Sequence, residues 1–106
     1  MVIYEVNLTV NNEIFEDYYQ WLIKHVEEMF QFRGFKKAEI AKEKKLNQES
    51  EDKTKLTVRY SIDNEADLND YLQNFATTMR EAAIKKFGDK FRAERRIFTE
   101  PLEVVI

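Results

Sequence analysis

Cysteine is absent from the 106 residues, which excludes disulfides and thiolate chemistry and leaves the compartment open on that test. Glycine occurs only as Gly34 and Gly88, too far apart to form a glycine-rich phosphate loop. One histidine, His25, and no cysteine leave only scattered carboxylates, with neither HExxH nor EF-hand spacing, so no metal is expected. A serine triad would have to recruit His25, and neither Ser50 nor Ser61 sits in a nucleophile elbow. Basic surplus is missing too. A net charge of −3 argues against a general nucleic-acid binder or a surface drawn to anionic lipid. No apolar run reaches transmembrane length, and the start MVIYEVNLTV is too short and too soon acidic for a signal peptide. No membrane and no nucleic-acid partner is expected, and a cytoplasmic location is.

What is present is apolar and aromatic: 43% of the residues are hydrophobic, and 13% of the chain is Phe, Trp or Tyr, enough for one folded domain over residues 1–106. The chain is organised around Asn12 to Phe32, a long amphipathic helix. Its apolar residues Phe15, Tyr18, Tyr19, Leu22, Val26, Met29 and Phe30 follow the i, i+3, i+4, i+7 pattern. Their arc covers roughly 200° of the helical wheel, against roughly 100° or more for an ordinary core-facing stripe. A sheet alone cannot cover it; a second helix, a second subunit or a ligand must take the rest. Asn11 or Asn12 suits the N-cap, and Gly34 the C-cap.

Val2 to Val10 alternates strictly, with Val2, Tyr4, Val6, Leu8 and Val10 on one face, as in a half-buried strand. Phe35 to Glu43 reads as a second strand with weaker alternation, and Lys44 to Lys53 as a polar hairpin loop. Thr54 to Ile62 is a third strand. Asp63 or Asn64 caps a second helix that runs to Phe87 before Gly88, with Ala76-Thr77-Thr78 as a point of interruption. Asp89 to Phe98 supplies a fourth strand, and residues 99–106, cut off by Pro101, form a C-terminal arm. The order β-α-β-β-α-β predicts an α+β, ferredoxin-like fold: a four-stranded antiparallel sheet with two helices on one face. The other face stays open, which points to a homodimer.

The segments IYEVNLTVNNEI, WLIKHVEEM, Gly34-Phe35 and MREAAIKKFGDKFRAERRIF together resemble DUF4286, a family of small bacterial proteins of unknown function. The match runs from about Ile3 to Phe98. Its most specific parts are Trp21 with His25, and Arg80 with Phe87-Gly88, Phe91, Ala93 and Arg95. The resemblance implies a dimeric α+β barrel, the plan of the antibiotic-biosynthesis monooxygenases and their relatives. Two positions depart from the family pattern: Ala83, where members carry histidine, and Thr77, where many carry proline. A chemical role for that histidine is not carried over. Related haem-degrading proteins use an asparagine, a tryptophan and a histidine, the last two from later elements than the first helix, so no haem or other cofactor is expected.

Two groups of residues carry the candidate chemistry. Trp21 and His25 lie one helical turn apart, with Glu28 three residues on, and form either a pocket wall or a flank packed on the sheet edge or a partner. Arg59, Arg80, Arg95 and Arg96 offer planar forks for carboxylate or phosphate. Arg59 alternates onto the open face; Arg80 borders the apolar stripe of the second helix. Arg95 shares a strand face with Phe91, Ala93 and Ile97, and the parity of that face is open. RNA binding would need stacking aromatics on the open sheet face, where Glu5, Asn7, Thr57 and Arg59 stand instead. Two functions remain. The first is a small-molecule protein for an organic anion or aromatic acid, binder or cofactor-independent enzyme, using Asn7, Trp21, His25, Arg59, Arg80 and Arg95. The second is a non-catalytic protein-interaction module using the charged sheet face.

Overall fold

Alternation at Val2–Val10 and Thr54–Ile62 becomes, in the computed structural model, two long central strands. The structure describes residues 1–45 and 52–106. Strands β1 (Val2–Asn11), β2 (Phe35–Lys42), β3 (Lys53–Ile62) and β4 (Phe91–Thr99) form one sheet in the order β2-β3-β1-β4. Every neighbouring pair is antiparallel. Most of the hairpin loop expected at Lys44–Lys53, residues 46–51, lies outside the described residues.

The helices all pack on one face. Helix α1 (Phe15–Met29) is preceded by a short 3-10 turn, Asn12–Ile14, so the regular helix starts three residues later than the sequence pattern implies. Asn11 sits at the cap position without a side-chain cap bond. The second long helix is two helices, α2 (Glu65–Asn74) and α3 (Ala76–Phe87), so three helices rather than two cover the sheet. The break falls at Phe75, one residue before Ala76-Thr77-Thr78, with φ −128° and ψ −25°. Phe75 itself stays tied to both helices: its N–H donates to Tyr71 O, and its carbonyl accepts from Met79 N–H. Asn64 caps α2, its side chain accepting from Asp67 N–H at 2.8 Å.

Gly34 is not the C-cap of α1, which ends at Met29 with Phe30 as cap. It sits further on at φ +84°, and a side chain there would run into Asp67. Its carbonyl accepts from Asp63 N–H at 2.9 Å, so the loop before β2 is tied to the start of α2. Only glycine combines that backbone angle with that approach.

The core lies between the helices and the inner sheet face. Val10 and Ile62 are fully buried, and Leu56 and Val58 nearly so, from the strands; Tyr18, Leu22, Val26 and Met29 meet them from α1 and Leu68 from α2. Two aromatic clusters stand apart within it. Phe35, Tyr60, Tyr4 and Tyr71 pack at 5.3–6.2 Å between ring centres at one end. Tyr18, Trp21, Phe87 and Phe91 pack at 5.0–5.9 Å at the other. Beyond Thr99 the chain pairs with no strand, and Leu102, Val104, Val105 and Ile106 are exposed. No helix among the described residues is long and apolar enough to cross a membrane.

Candidate functional site

The register of β4 decides where Arg95 goes. Val6 pairs with Arg95 and Leu8 with Ala93, and Val6 and Leu8 face the helices, so Arg95 and Ala93 do as well. Helix α3 approaches this edge with small residues, Ala83 among them, and leaves a gap. The gap is a cavity of about 260 Å³ between α1, α3 and the inner sheet face, flanked by the two aromatic clusters. Tyr4, Tyr60 and Tyr71 line one side; Tyr18, Trp21 and Phe91 line the other. Arg95 and Ile84, both exposed, are among its lining residues.

Two arginines and one histidine reach this cavity, and no carboxylate lines it among the described residues. Arg80, half-buried on α3, donates from Nη2 to the Tyr4 hydroxyl at 3.1 Å. Its Nε is the one buried side-chain polar atom without a hydrogen-bond partner among the described residues. A guanidinium held among tyrosines with no acid beside it leaves its charge uncompensated, a costly arrangement unless an anion arrives. Arg95 makes no ion pair among the described residues either, yet its charge is felt by Tyr18, His25, Tyr60 and Tyr71 alike.

His25 lies flat on Trp21, ring centres 4.7 Å apart and planes 16° from parallel. Burial pushes its pKa below the usual 6.5, Glu28 pulls it back up, and Arg95 pushes it down again. At neutral pH the imidazole is therefore uncharged and has one nitrogen free to accept a hydrogen bond. The tyrosines are held protonated by the same burial. Tyr71 is pushed up to about 12, by desolvation first and by the neighbouring Tyr4 phenol second. Tyr18 and Tyr60 are raised in the same direction. Among the described residues no group of three or more His, Asp or Glu side chains is placed to hold a metal ion.

The family model described as "Domain of unknown function (DUF4286)" matches residues 1–101. This chain belongs to the DUF4286 family. No curated protein matches it. A candidate antibiotic biosynthesis monooxygenase from Deinococcus radiodurans is similar in structure, with TM-score 0.74 at 17% identity, over 100% of this chain and 98% of that one. An ethyl tert-butyl ether D (EthD) family protein from Bacillus halodurans gives TM-score 0.66 at 14% identity, over 95% and 100%. A dimeric ferredoxin-like protein of unknown function from Jannaschia sp. gives 0.57 at 14%, over 98% and 100%. At such identities the likeness is one of fold alone, and the fold is the ferredoxin-like α+β plan.

In the DUF4286 protein, Trp21, His25, Arg80 and Arg95 line one cavity. Asn7 and Arg59 do not join them. Both lie on the opposite, open sheet face, where Glu5 is the centre of a polar lattice. Arg59 Nε is 3.2 Å and Arg96 Nε 3.4 Å from the Glu5 carboxylate, and Asn7 donates to it at 2.9 Å. Thr57 in turn donates to Asn7 at 2.8 Å. Glu5 is only 8% exposed, so these partners are what keeps its charge tolerable. Sequence reasoning missed the tyrosines Tyr4, Tyr18, Tyr60 and Tyr71 as site residues. The available signal was a phenol, where leucine or phenylalanine would fill a core equally well, at Tyr4 and Tyr60, inward positions paired across β1 and β3.

Proposed function

We propose that this protein binds a small aromatic carboxylate in the cavity between its helices and its sheet. The observation that carries this is a space lined by two guanidiniums and no carboxylate, between aromatic walls. An apolar cavity of about 150 Å³ already takes benzene, so 260 Å³ has room for a ring with a carboxylate and a further substituent. The tyrosine and tryptophan faces supply the apolar contact, and Arg80 and Arg95 the charge-assisted hydrogen bonds that orient the acid. Benzoate and phenylacetate are expected to bind in calorimetry, and the uncharged benzamide and benzyl alcohol to bind far more weakly. Arg80→Gln and Arg95→Gln should each weaken benzoate by about ten-fold or more, the usual worth of a charge-assisted hydrogen bond. Equal affinity for benzoate and benzamide, or no binding of either, would remove this proposal.

Assembly is proposed as a homodimer through the open sheet face. Support comes from Phe98, exposed there beside Ile3 and touched by the guanidiniums of Arg59 and Arg96 at 6.0 Å. The Jannaschia neighbour is described as dimeric. The exposed arm Leu102–Ile106 offers further apolar surface to a second copy. Sedimentation is expected to show a dimer at micromolar concentration, dissociated by Phe98→Glu. A monomer persisting at high micromolar concentration defeats it.

A further inference from the structure

The cavity is lined, besides its two cations and the tyrosine phenols, by an uncharged imidazole with no hydrogen-bond partner among the described residues. His25 lines the space together with Arg80 and Arg95, and it makes no hydrogen bond or ion pair among the described residues. One face of its ring is taken by Trp21 at 4.7 Å. Its nitrogens lie in the ring plane, so the stack fixes the imidazole while leaving its polar edge free. An anion alone satisfies the arginines and does nothing for that edge. We infer that the bound acid carries a hydroxyl that donates to His25, making the ligand class a hydroxylated aromatic carboxylate rather than an unsubstituted one. This rests on the binding proposed above and narrows it.

Geometry sets two conditions on such a ligand. The ring must be flat enough to lie between Tyr4 and Tyr60 on one side and Tyr18 and Trp21 on the other. Its hydroxyl must sit away from the carboxylate, because a neighbouring hydroxyl bonds to the acid instead of to the protein. The charged groups that act on His25 are Glu28 on its own helix and Arg95 on β4, and Arg80 on α3 lines the same cavity. Burial first, and Arg95 beside it, keep the imidazole neutral at neutral pH, where it accepts from a hydroxyl. Below its pKa it becomes a third cation, loses the acceptor and gains attraction for any carboxylate. The hydroxyl preference and the bare anion affinity therefore run in opposite directions with pH.

The test compares benzoate, 3-hydroxybenzoate and 4-hydroxybenzoate with the two corresponding methoxybenzoates, by calorimetry at neutral pH and at about pH 5. One hydroxybenzoate is expected to bind roughly three- to ten-fold tighter than benzoate at neutral pH, the range of one neutral hydrogen bond. Its methyl ether, of similar shape without the donor, should lose that gain. Where acid protonates His25, the preference should shrink while benzoate itself tightens. His25→Phe keeps a ring on Trp21 and is expected to erase the preference, whereas His25→Gln, which retains an acceptor, should keep part of it. The methyl-ether contrast in the unsubstituted protein gives the same answer even if either variant fails to fold. Benzoate binding with no hydroxyl preference overturns this inference and leaves the carboxylate proposal standing. A preference that survives His25→Phe overturns it as well, and no binding by any acid takes both down.

Discussion

The protein is expected to lose stability steeply as pH rises from about 10 to about 12, in advance of any general denaturation of the backbone. Tyr71 ionises at 10.0 when free in water and at about 12 when folded. Between those values the unfolded chain has given up the phenol proton and the folded chain has not, so raising the pH favours unfolding. Stability from this group is complete below its unfolded pKa and gone above its folded one. For Tyr71 alone the loss is on the order of 2–3 kcal/mol. Tyr18 and Tyr60 are raised by burial as well and add to it in the same sense. A domain of this kind has roughly 5–15 kcal/mol to lose, so three such groups consume much of it. Urea unfolding from neutral pH to about pH 11, followed with the phenolate absorbance band, measures this directly. Tyr71→Phe should flatten the slope, which assigns that part of the loss to the buried phenol. Tyr18, Tyr60 and Tyr71 ionising near the free value, in a protein that keeps its native near-ultraviolet dichroism, would contradict the burial that the structure gives them.

The strands were legible because a sheet with one covered face imposes a period of two. Val2 to Val10 and Thr54 to Ile62 show it, Ile3 and Thr54 apart, and both run as expected in β1 and β3. Helix ends were less legible, because the 3-10 turn at Asn12–Ile14 and the break at Phe75 depend on tertiary packing rather than propensity. Phe75 lies against Phe32, ring centres 4.8 Å apart, a contact between segments far apart in the chain. For the site, the i, i+4 pair Trp21–His25 is written in the helix period. The face of Arg95 was not readable, since a strand with Phe91, Ala93 and Ile97 on one side and Arg92, Glu94 and Arg96 on the other carries arginine on both. Pairing with Val6 resolves it. Asn7 and Arg59 do alternate onto the open face, as the sequence indicates; what it does not indicate is that the cavity lies on the other side of the sheet. A void between helix and sheet arises where small residues such as Ala83 face the edge strand β4, and no single-chain pattern announces that.

Replacing Leu22 by alanine is expected to cost more than replacing the far larger Trp21, and the comparison tells core from wall. Leu22 is 3% exposed on the face of α1 turned to the sheet, and it borders the cavity as well. Truncating it removes a side chain that is almost wholly out of water, at about 2–5 kcal/mol. Trp21 is half-buried and already borders the cavity. Part of its surface already faces water, so its removal gives up less burial than its size suggests. What is lost are the ring contacts to Tyr18 at 5.7 Å, His25 at 4.7 Å and Phe87 at 5.9 Å. Such aromatic pairs contribute about 0.5–1.5 kcal/mol each beyond buried area and are not additive. Trp21→Ala should therefore cost about 1–2 kcal/mol, read as a fall in Tm of about 4–8 °C per kcal/mol in a domain of this length. Benzoate affinity should fall in Trp21→Ala, because one wall of the site has gone. A cost for Trp21→Ala of about 3–5 kcal/mol, the range for truncating a fully buried aromatic, would make the indole a core residue. In that case His25, which depends on the indole face for its orientation, would lose its fixed edge along with it.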